Sequence, residues 1–362
     1  MQQFLIIGSG LIGRLLAWRL IRQGHQVDIL SRDDVEGTDS AGYVAASMVS
    51  PLTEAVYTEV MVKEMGLVSY QLWPQWLSEL PENVDYQDHG TLVVAHAGDQ
   101  AEMTRFKRRA EHVLEQADFT RLDNAALKQC APDLAKNFDD ALFFEHESCI
   151  DNRQLYRVLK NVLTTSPLCR WRQIDSVATL SEHVIDVLSH YHFGHSASRY
   201  TATIDCRGNG AQQDIDQLRG VRGEVIRVHA PDVDIKHAVR LLHPRYPLYL
   251  APRANQEYVL GATVIESDDM SPVSVRSGLE LLSALYSLHA GFSEARILEM
   301  SAHCRPATVD NMPMIKRTSW GFHVNGFYRH GYLFSPAIIT DLVHVLNDGD
   351  AAQLKFGSYF NV

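Results

Sequence analysis

Six residues near the start of the chain, Gly8-Ser9-Gly10-Leu11-Ile12-Gly13, constrain its fold more than any other feature. They follow an apolar run of strand length, Phe4 to Ile7. After them, apolar residues at Leu11, Ile12, Leu15, Leu16, Trp18, Leu20 and Ile21 have helical density, up to Gly24, a suitable residue just past a helix end. Val27 to Leu30 reads as a second strand. A G-x-G-x-x-G run between a strand and a helix, with another strand next, predicts a βαβ dinucleotide-binding unit. Gly8 allows the tight turn, Gly10 removes a side chain so that a pyrophosphate can approach the backbone, and Gly13 lets the helix pack closely. The first-turn amides around Leu11 and Ile12 then face the phosphates at the positive end of the helix dipole.

The length of 362 residues fits two domains at roughly 150 residues each. With 46% hydrophobic and 21% charged residues, the chain can bury a sizeable core. Its net charge of −11 argues against a nucleic-acid partner. The short basic run Lys107-Arg108-Arg109 lies among Glu102 and Glu111 and reads as a solvated helix face. Five cysteines, an odd number with no C-x-x-C pair, suggest neither a disulfide framework nor a Cys-rich zinc site. No uncharged run has the length of a membrane span, and the N-terminus lacks a signal-peptide pattern. A reduced, cytoplasmic protein is expected.

Further along, helices are predicted over 56–79, 100–117, 124–130, 152–165 (capped by Asp151), 274–289 and 336–347, the last opened by Pro336. Strands are predicted over 91–95, 184–188, 199–205, 223–228, 248–251, 257–262, 296–302 and 321–325. Trp73 and Trp76, three apart, read as core. His190, His192 and His195 are close in sequence, but they fall in a polar stretch read as an exposed hairpin loop between two strands, not a metal site.

Ser31 stands where an acid for the ribose hydroxyls is expected; Asp33 could substitute if the loop curls back, while Arg32 would suit a 2′-phosphate. This fingerprint therefore leaves the nucleotide open. Near the C-terminus, strand 321–325 leads through GFYRHGYLFSP into a helix. A helix N-terminus aimed at the cofactor suits a reduced flavin, which carries negative charge, and suits an ordinary amphipathic helix equally well.

Taken in order, GSGLIG at 8–13, AASM at 45–48, YLAPR and VLGATVIE within 249–266, CRPATVDNMP at 304–313 and NGFYRHGYLFSPA at 325–337 resemble the FAD-dependent D-amino-acid oxidase superfamily. Within it they are most similar to the glycine oxidases linked to thiamine biosynthesis. The resemblance implies an α/β fold. A Rossmann-like FAD domain (1–84, 145–215 and 304–362) would carry an inserted, mainly antiparallel-sheet substrate domain (85–144 and 216–303). It also implies non-covalent FAD, hydride transfer from a small amine to flavin N5, and reoxidation by O2 to hydrogen peroxide. The imine would hydrolyse to an oxo acid and ammonia, and the family suggests a homo-oligomer.

By motif position, Arg305 would bind the substrate carboxylate, a contact that suits a planar guanidinium. Tyr249 would assist it. Arg329 would face substrate or flavin, or order its loop. The FAD contacts implied are Gly8, Gly10, Leu11, Ile12, Gly13, Ser31, Arg32, Ala45, Ala46, Ser47, Met48, Gly208, Arg329, His330, Gly331, Tyr332 and Leu333. Cys206 reads as packing, not as a flavin attachment point. No acid–base pair is expected, because orientation and electrostatics suffice for hydride transfer. The chain departs from the family pattern at Ser31, at Ser47 and Asn311 (both glycine in the pattern), and at Lys316. Alternatives are sarcosine, D-alanine or D-proline as substrate, an electron acceptor other than oxygen, a partner-protein substrate, or a binding module that lost turnover.

Overall fold

The computed structural model describes residues 1–58, 60–177, 179–243, 248–347, 349–350 and 353–361. Its first sheet has seven strands, in the order Phe360–Asn361, Met314–Thr318, Gly321–Asn325, Ala202–Asp205, Gln3–Ile7, Gln26–Ser31 and Cys169–Gln173. All neighbours are parallel except the hairpin of Met314–Thr318 with Gly321–Asn325. Gln3–Ile7 is central and buried on both faces, as a run of consecutive apolar residues requires. Phe4 and Ile6 pack against Leu11–Arg22, Asn152–Thr165 and Gly331–Leu346, while Leu5 and Ile7 pack on the other face with Ile185. Asp151 caps Asn152–Thr165 by accepting from the Arg153 and Gln154 amides.

The second sheet has nine strands. Arg219–His229 is its long spine, pairing with Arg296–Ala307 on one side and with Glu257–Gly261 and Ile265–Glu266 on the other. Leu248–Pro252, Ala238–Leu241, Thr91–Val94, Asp140–Phe144 and Thr120–Asp123 complete it, antiparallel except where Ala238–Leu241 meets Thr91–Val94. The chain alternates between the two sheets, so residues distant in sequence meet at the cleft between them.

Several sequence expectations need correction. The strand expected over 184–188 is a helix, Glu182–Phe193. Its β-branched Val184, Ile185 and Val187 suggest a strand. However, the Ser181 hydroxyl caps the Val184 amide, Ile185 and Ser189 are buried one turn apart, and Gly194 ends the helix in the left-handed conformation. His190 and His192 therefore lie on the last helical turn, not in a hairpin loop. The final helix begins at Gly331, and Pro336 lies inside it. Proline has no N–H for the Tyr332 carbonyl one turn back; the indole Nε1–H of buried Trp73 donates there instead, at 2.8 Å. The helix expected over 56–79 is Val60–Ser78, preceded by the short Pro51–Ala55; residue 59 lies outside the described residues. Trp73 and Trp76 are core, and Lys107 and Arg105 pair with Glu111 and Glu102 along their helix. Among the described residues no helix is long and apolar enough to cross a membrane.

Candidate active site

A cavity of about 530 Å³ lies where the carboxyl ends of the parallel strands face the second sheet. Every sequence-predicted site residue lines it except Gly13. Gly8 has φ +102°, and a Cβ there would sit 2.6 Å from the Cys206 carbonyl oxygen. Gly10 is the N-cap of Leu11–Arg22, with no side-chain cap and no acid in the first turn, and a Cβ on it would meet nothing within 4 Å. Its exposed amides and open face therefore form a cradle for an anion. Gly13 has a packing role: its Cβ would fall 2.0 Å from the Gly8 carbonyl oxygen.

The remaining lining residues fit a long polar ligand. Among the described residues Asp33 Oδ2 and Asn209 Oδ1 are buried without a hydrogen-bond partner, and His303 Nε2 has only a long contact of 3.7 Å to Asp39 Oδ1. Such atoms normally find one, so they mark where ligand or solvent polar atoms belong. Ser31 accepts a hydrogen bond from the Ser9 hydroxyl at 2.6 Å, whereas Arg32 turns outward to pair with Asp39. Gly208 lines the cavity in the left-handed conformation at φ +58°. Burial pushes the Cys206 thiol well up, so it is a packed thiol and not a nucleophile. The uncapped N-terminus of Gly331–Leu346 also opens here, bringing Gly331, Tyr332 and Leu333 to the cavity wall.

The other end of the cavity is charged. Glu54, at the end of Pro51–Ala55, is 6% exposed, and four side chains converge on its carboxylate. Arg329 Nη2 lies 2.7 Å and His330 Nε2 3.0 Å from Oε2. Arg240 Nη1 lies 3.3 Å from Oε1, and the Tyr249 hydroxyl donates to that same oxygen. Burial alone would raise the Glu54 pKa; Arg329, His330 and Arg240 outweigh it and hold the carboxyl well below its usual range. Burial lowers the His330 pKa, partly offset by Glu54. Burial and the Glu54 charge push the Tyr249 hydroxyl up, so it stays protonated.

Arg305 is different. Its guanidinium donates only to carbonyl oxygens, including Thr263 at 3.2 and 3.3 Å and Arg222 at 3.3 Å. Among the described residues no carboxylate lies within ion-pair distance. Gly223 makes room for it: a Cβ there would sit 2.0 Å from Arg305 Nη2. Burial lowers the Arg305 pKa to about 10, still charged at neutral pH. A half-buried cation without a counter-charge, at the wall of a cavity, is poised for an anionic ligand.

A family model described as FAD dependent oxidoreductase (DAO) matches residues 3–342. The chain belongs to the DAO family of FAD-dependent oxidoreductases. It is 36% identical, over 95% of its length and 96% of theirs, to a Rhizobium etli protein that bears the name thiamine biosynthesis oxidoreductase ThiO. It is 25% identical to the glycine oxidase of Pseudomonas putida over 94% of each chain. The crystal structure of the Geobacillus kaustophilus glycine oxidase superposes with a TM-score of 0.82 at 19% identity, covering 100% of this chain and 99% of that one. The protein is therefore an FAD-dependent oxidoreductase, with FAD as its cofactor.

In this flavoenzyme the departures from glycine at Ser47 and Asn311 keep a glycine-like backbone. Ser47 has φ +52° and Asn311 φ +60°. Asparagine tolerates that region; serine does so at some cost. Ser47 is held there by Arg253, whose Nη2 donates to the Ser47 hydroxyl at 2.9 Å and to the Ala46 carbonyl at 2.7 Å, while the hydroxyl itself donates to the Ile150 carbonyl. The added atoms are thus turned toward protein groups. Sequence reasoning missed Glu54, Arg240 and Gly223. The only local hint for Glu54 is the Pro51 helix start before it, and nothing near Arg240 marks it.

Proposed function

We propose that the enzyme oxidises glycine, or an amine equally small, at the carbon beside nitrogen. The half-buried Arg305 guanidinium, without a counter-charge among the described residues, carries this reading, because it offers two parallel N–H donors to a substrate carboxylate. Tyr249 shares the cavity wall; its hydroxyl proton goes to Glu54 and must turn to reach the same carboxylate. Arg329 and His330, fastened to Glu54, order the loop that leads into the helix beginning at Gly331. Burial excludes water and keeps these charges strong at the reacting centre.

FAD, when bound, would supply the hydride acceptor, and its reoxidation by oxygen would give hydrogen peroxide. The imine then hydrolyses to glyoxylate and ammonia. A supply role in thiamine thiazole synthesis is supported by the name of the Rhizobium etli relative. The five free cysteines support a reducing, cytoplasmic setting.

The test is anaerobic. Glycine should bleach the flavin absorption of the FAD-loaded enzyme at lower concentration than sarcosine, D-alanine or D-proline. Air should restore the band with equal amounts of peroxide, glyoxylate and ammonia. A flavin that none of these amines bleaches contradicts the reading.

A further inference from the structure

In the cofactor arm the second strand ends in Ser31, whose hydroxyl lies 2.6 Å from that of Ser9. A neutral hydroxyl already in a hydrogen bond is a weak substitute for the carboxylate that normally receives the ribose hydroxyls at this point. Two residues on, the loop turns back. The Asp34 carboxylate accepts the amides of Glu36 and Gly37 at 2.9 and 3.1 Å. Buried Arg14 fastens the loop to the glycine turn, donating to the Ser9 carbonyl at 2.8 Å and to the Val35 carbonyl at 2.9 Å. Its guanidinium lies against the Tyr156 and Trp171 rings, 4.8 and 4.9 Å from their centroids.

This turn places Asp33 on the cavity wall beside Ser31. Its Oδ1 accepts the Asp34 amide at 3.0 Å, the Asp39 amide also favours the charged form, and among the described residues its Oδ2 is buried with no hydrogen-bond partner of good geometry. Among the described residues no ion pair within 4 Å engages it; Arg14 donates to the Ser9 and Val35 carbonyls instead. The other acids on this part of the wall are less suited: Asp39 is taken by Arg32, and Asp175 is exposed.

We propose that Asp33 receives the hydroxyls of the adenosine ribose of FAD, in place of the acid missing at Ser31. A buried carboxylate oxygen without a partner is costly unless a ligand donor meets it, and vicinal hydroxyls are such donors. The assignment depends on FAD as cofactor and not on which amine is oxidised.

The test measures flavin binding to the apoprotein by fluorescence quenching, with two probes: FAD, and FAD whose adenosine ribose lacks both hydroxyls. The unaltered protein should bind the dideoxy probe about tenfold or more weakly than FAD, the size of one hydrogen bond to a charged group. Asp33→Asn should lose about that factor for FAD and bind the two probes nearly equally. Ser31→Ala should keep most of the discrimination. Equal binding of both probes by the unaltered protein, a measurement that requires no variant to fold, overturns the proposal. So does an Asp33→Asn protein that still discriminates fully, or discrimination lost only in Ser31→Ala. If Asp33 served only to hold the loop, Asp33→Asn would lower the apoprotein melting temperature and leave the ratio of the two affinities unchanged, which also overturns it.

Discussion

At one end of the cavity, Gly8, Gly10 and Gly13 come from six consecutive residues, and what they offer the ligand is backbone: an exposed helix start and the absence of side chains. At the other end, Glu54 gathers Arg240, Tyr249, Arg329 and His330 from separate stretches of the chain, and what they offer is charge held in a dry place. The first end needs only local geometry, so a short motif specifies it. The second needs the whole fold, because a buried carboxylate is tolerable only where several donors arrive together. A similar contrast holds within the charged end. Glu54 has its countercharges, whereas among the described residues Arg305 has no carboxylate within ion-pair distance.

The comparison predicts that the two ends fail differently. Gly10→Val should have the largest effect: side-chain atoms would enter the space where the pyrophosphate approaches, and FAD should no longer copurify, with the charged end intact. A fully yellow variant would contradict the role of the glycine turn. Glu54→Leu should strike the other end, leaving Arg240 and Arg329 buried without a counter-charge. A loss of about 3–5 kcal/mol is expected in denaturant unfolding at pH 7. Because the Glu54 pKa is lowered in the fold, its stabilisation is complete above its ordinary carboxyl range and is lost as pH falls from there through the lowered folded value. The gap between Glu54→Leu and the unaltered protein should therefore narrow in acid, and a pH-independent gap would remove ionised Glu54 from the account.

Glu147 provides the contrasting case close by. It is fully buried, accepts from the Thr53 amide at 2.6 Å and the Thr53 hydroxyl at 3.0 Å, and burial raises its pKa to about 7. Here the charged form is penalised. The cost is absent below the unfolded pKa of 4.5 and complete above about 7, so Glu147 subtracts stability as pH rises between them. Glu147→Gln should raise the melting temperature at pH 8 by more than at pH 5, with a gain of roughly 1–3 kcal/mol at the higher pH. The reverse order would show that Glu147 is ionised and paired like Glu54. The smallest effect is expected at Ser47→Gly. Relief of the left-handed backbone is offset by loss of the bonds to Ile150 and Arg253, leaving a change under about 1 kcal/mol. A large loss would make the Ser47–Arg253 contact a structural keystone.

Legibility follows the same division. The βαβ unit, the Asp151 cap and the Trp73–Trp76 core could be read because each depends on neighbours within a few residues. Glu182–Phe193 was misread because its β-branched residues outweighed the Ser181 cap and Gly194. The start of the last helix was misplaced because Pro336 commonly opens a helix, and only the distant Trp73 indole explains how it sits inside one. Arg305, Tyr249 and Arg329 were reached through their resemblance to family motifs. Glu54 has no such motif, and its importance appears only when four remote side chains are seen to meet on it.

The central claim is that Arg305 is a vacant counter-charge for the substrate carboxylate, separate from the cofactor arm. Anaerobic titration of FAD-loaded Arg305→Ala with glycine, against the unaltered enzyme, tests it most directly. The account predicts an unchanged flavin spectrum before substrate and a rise in the half-bleaching glycine concentration of about a hundredfold or more, the scale of losing one partner of a buried charge pair. Bleaching at the same glycine concentration in both proteins would contradict it.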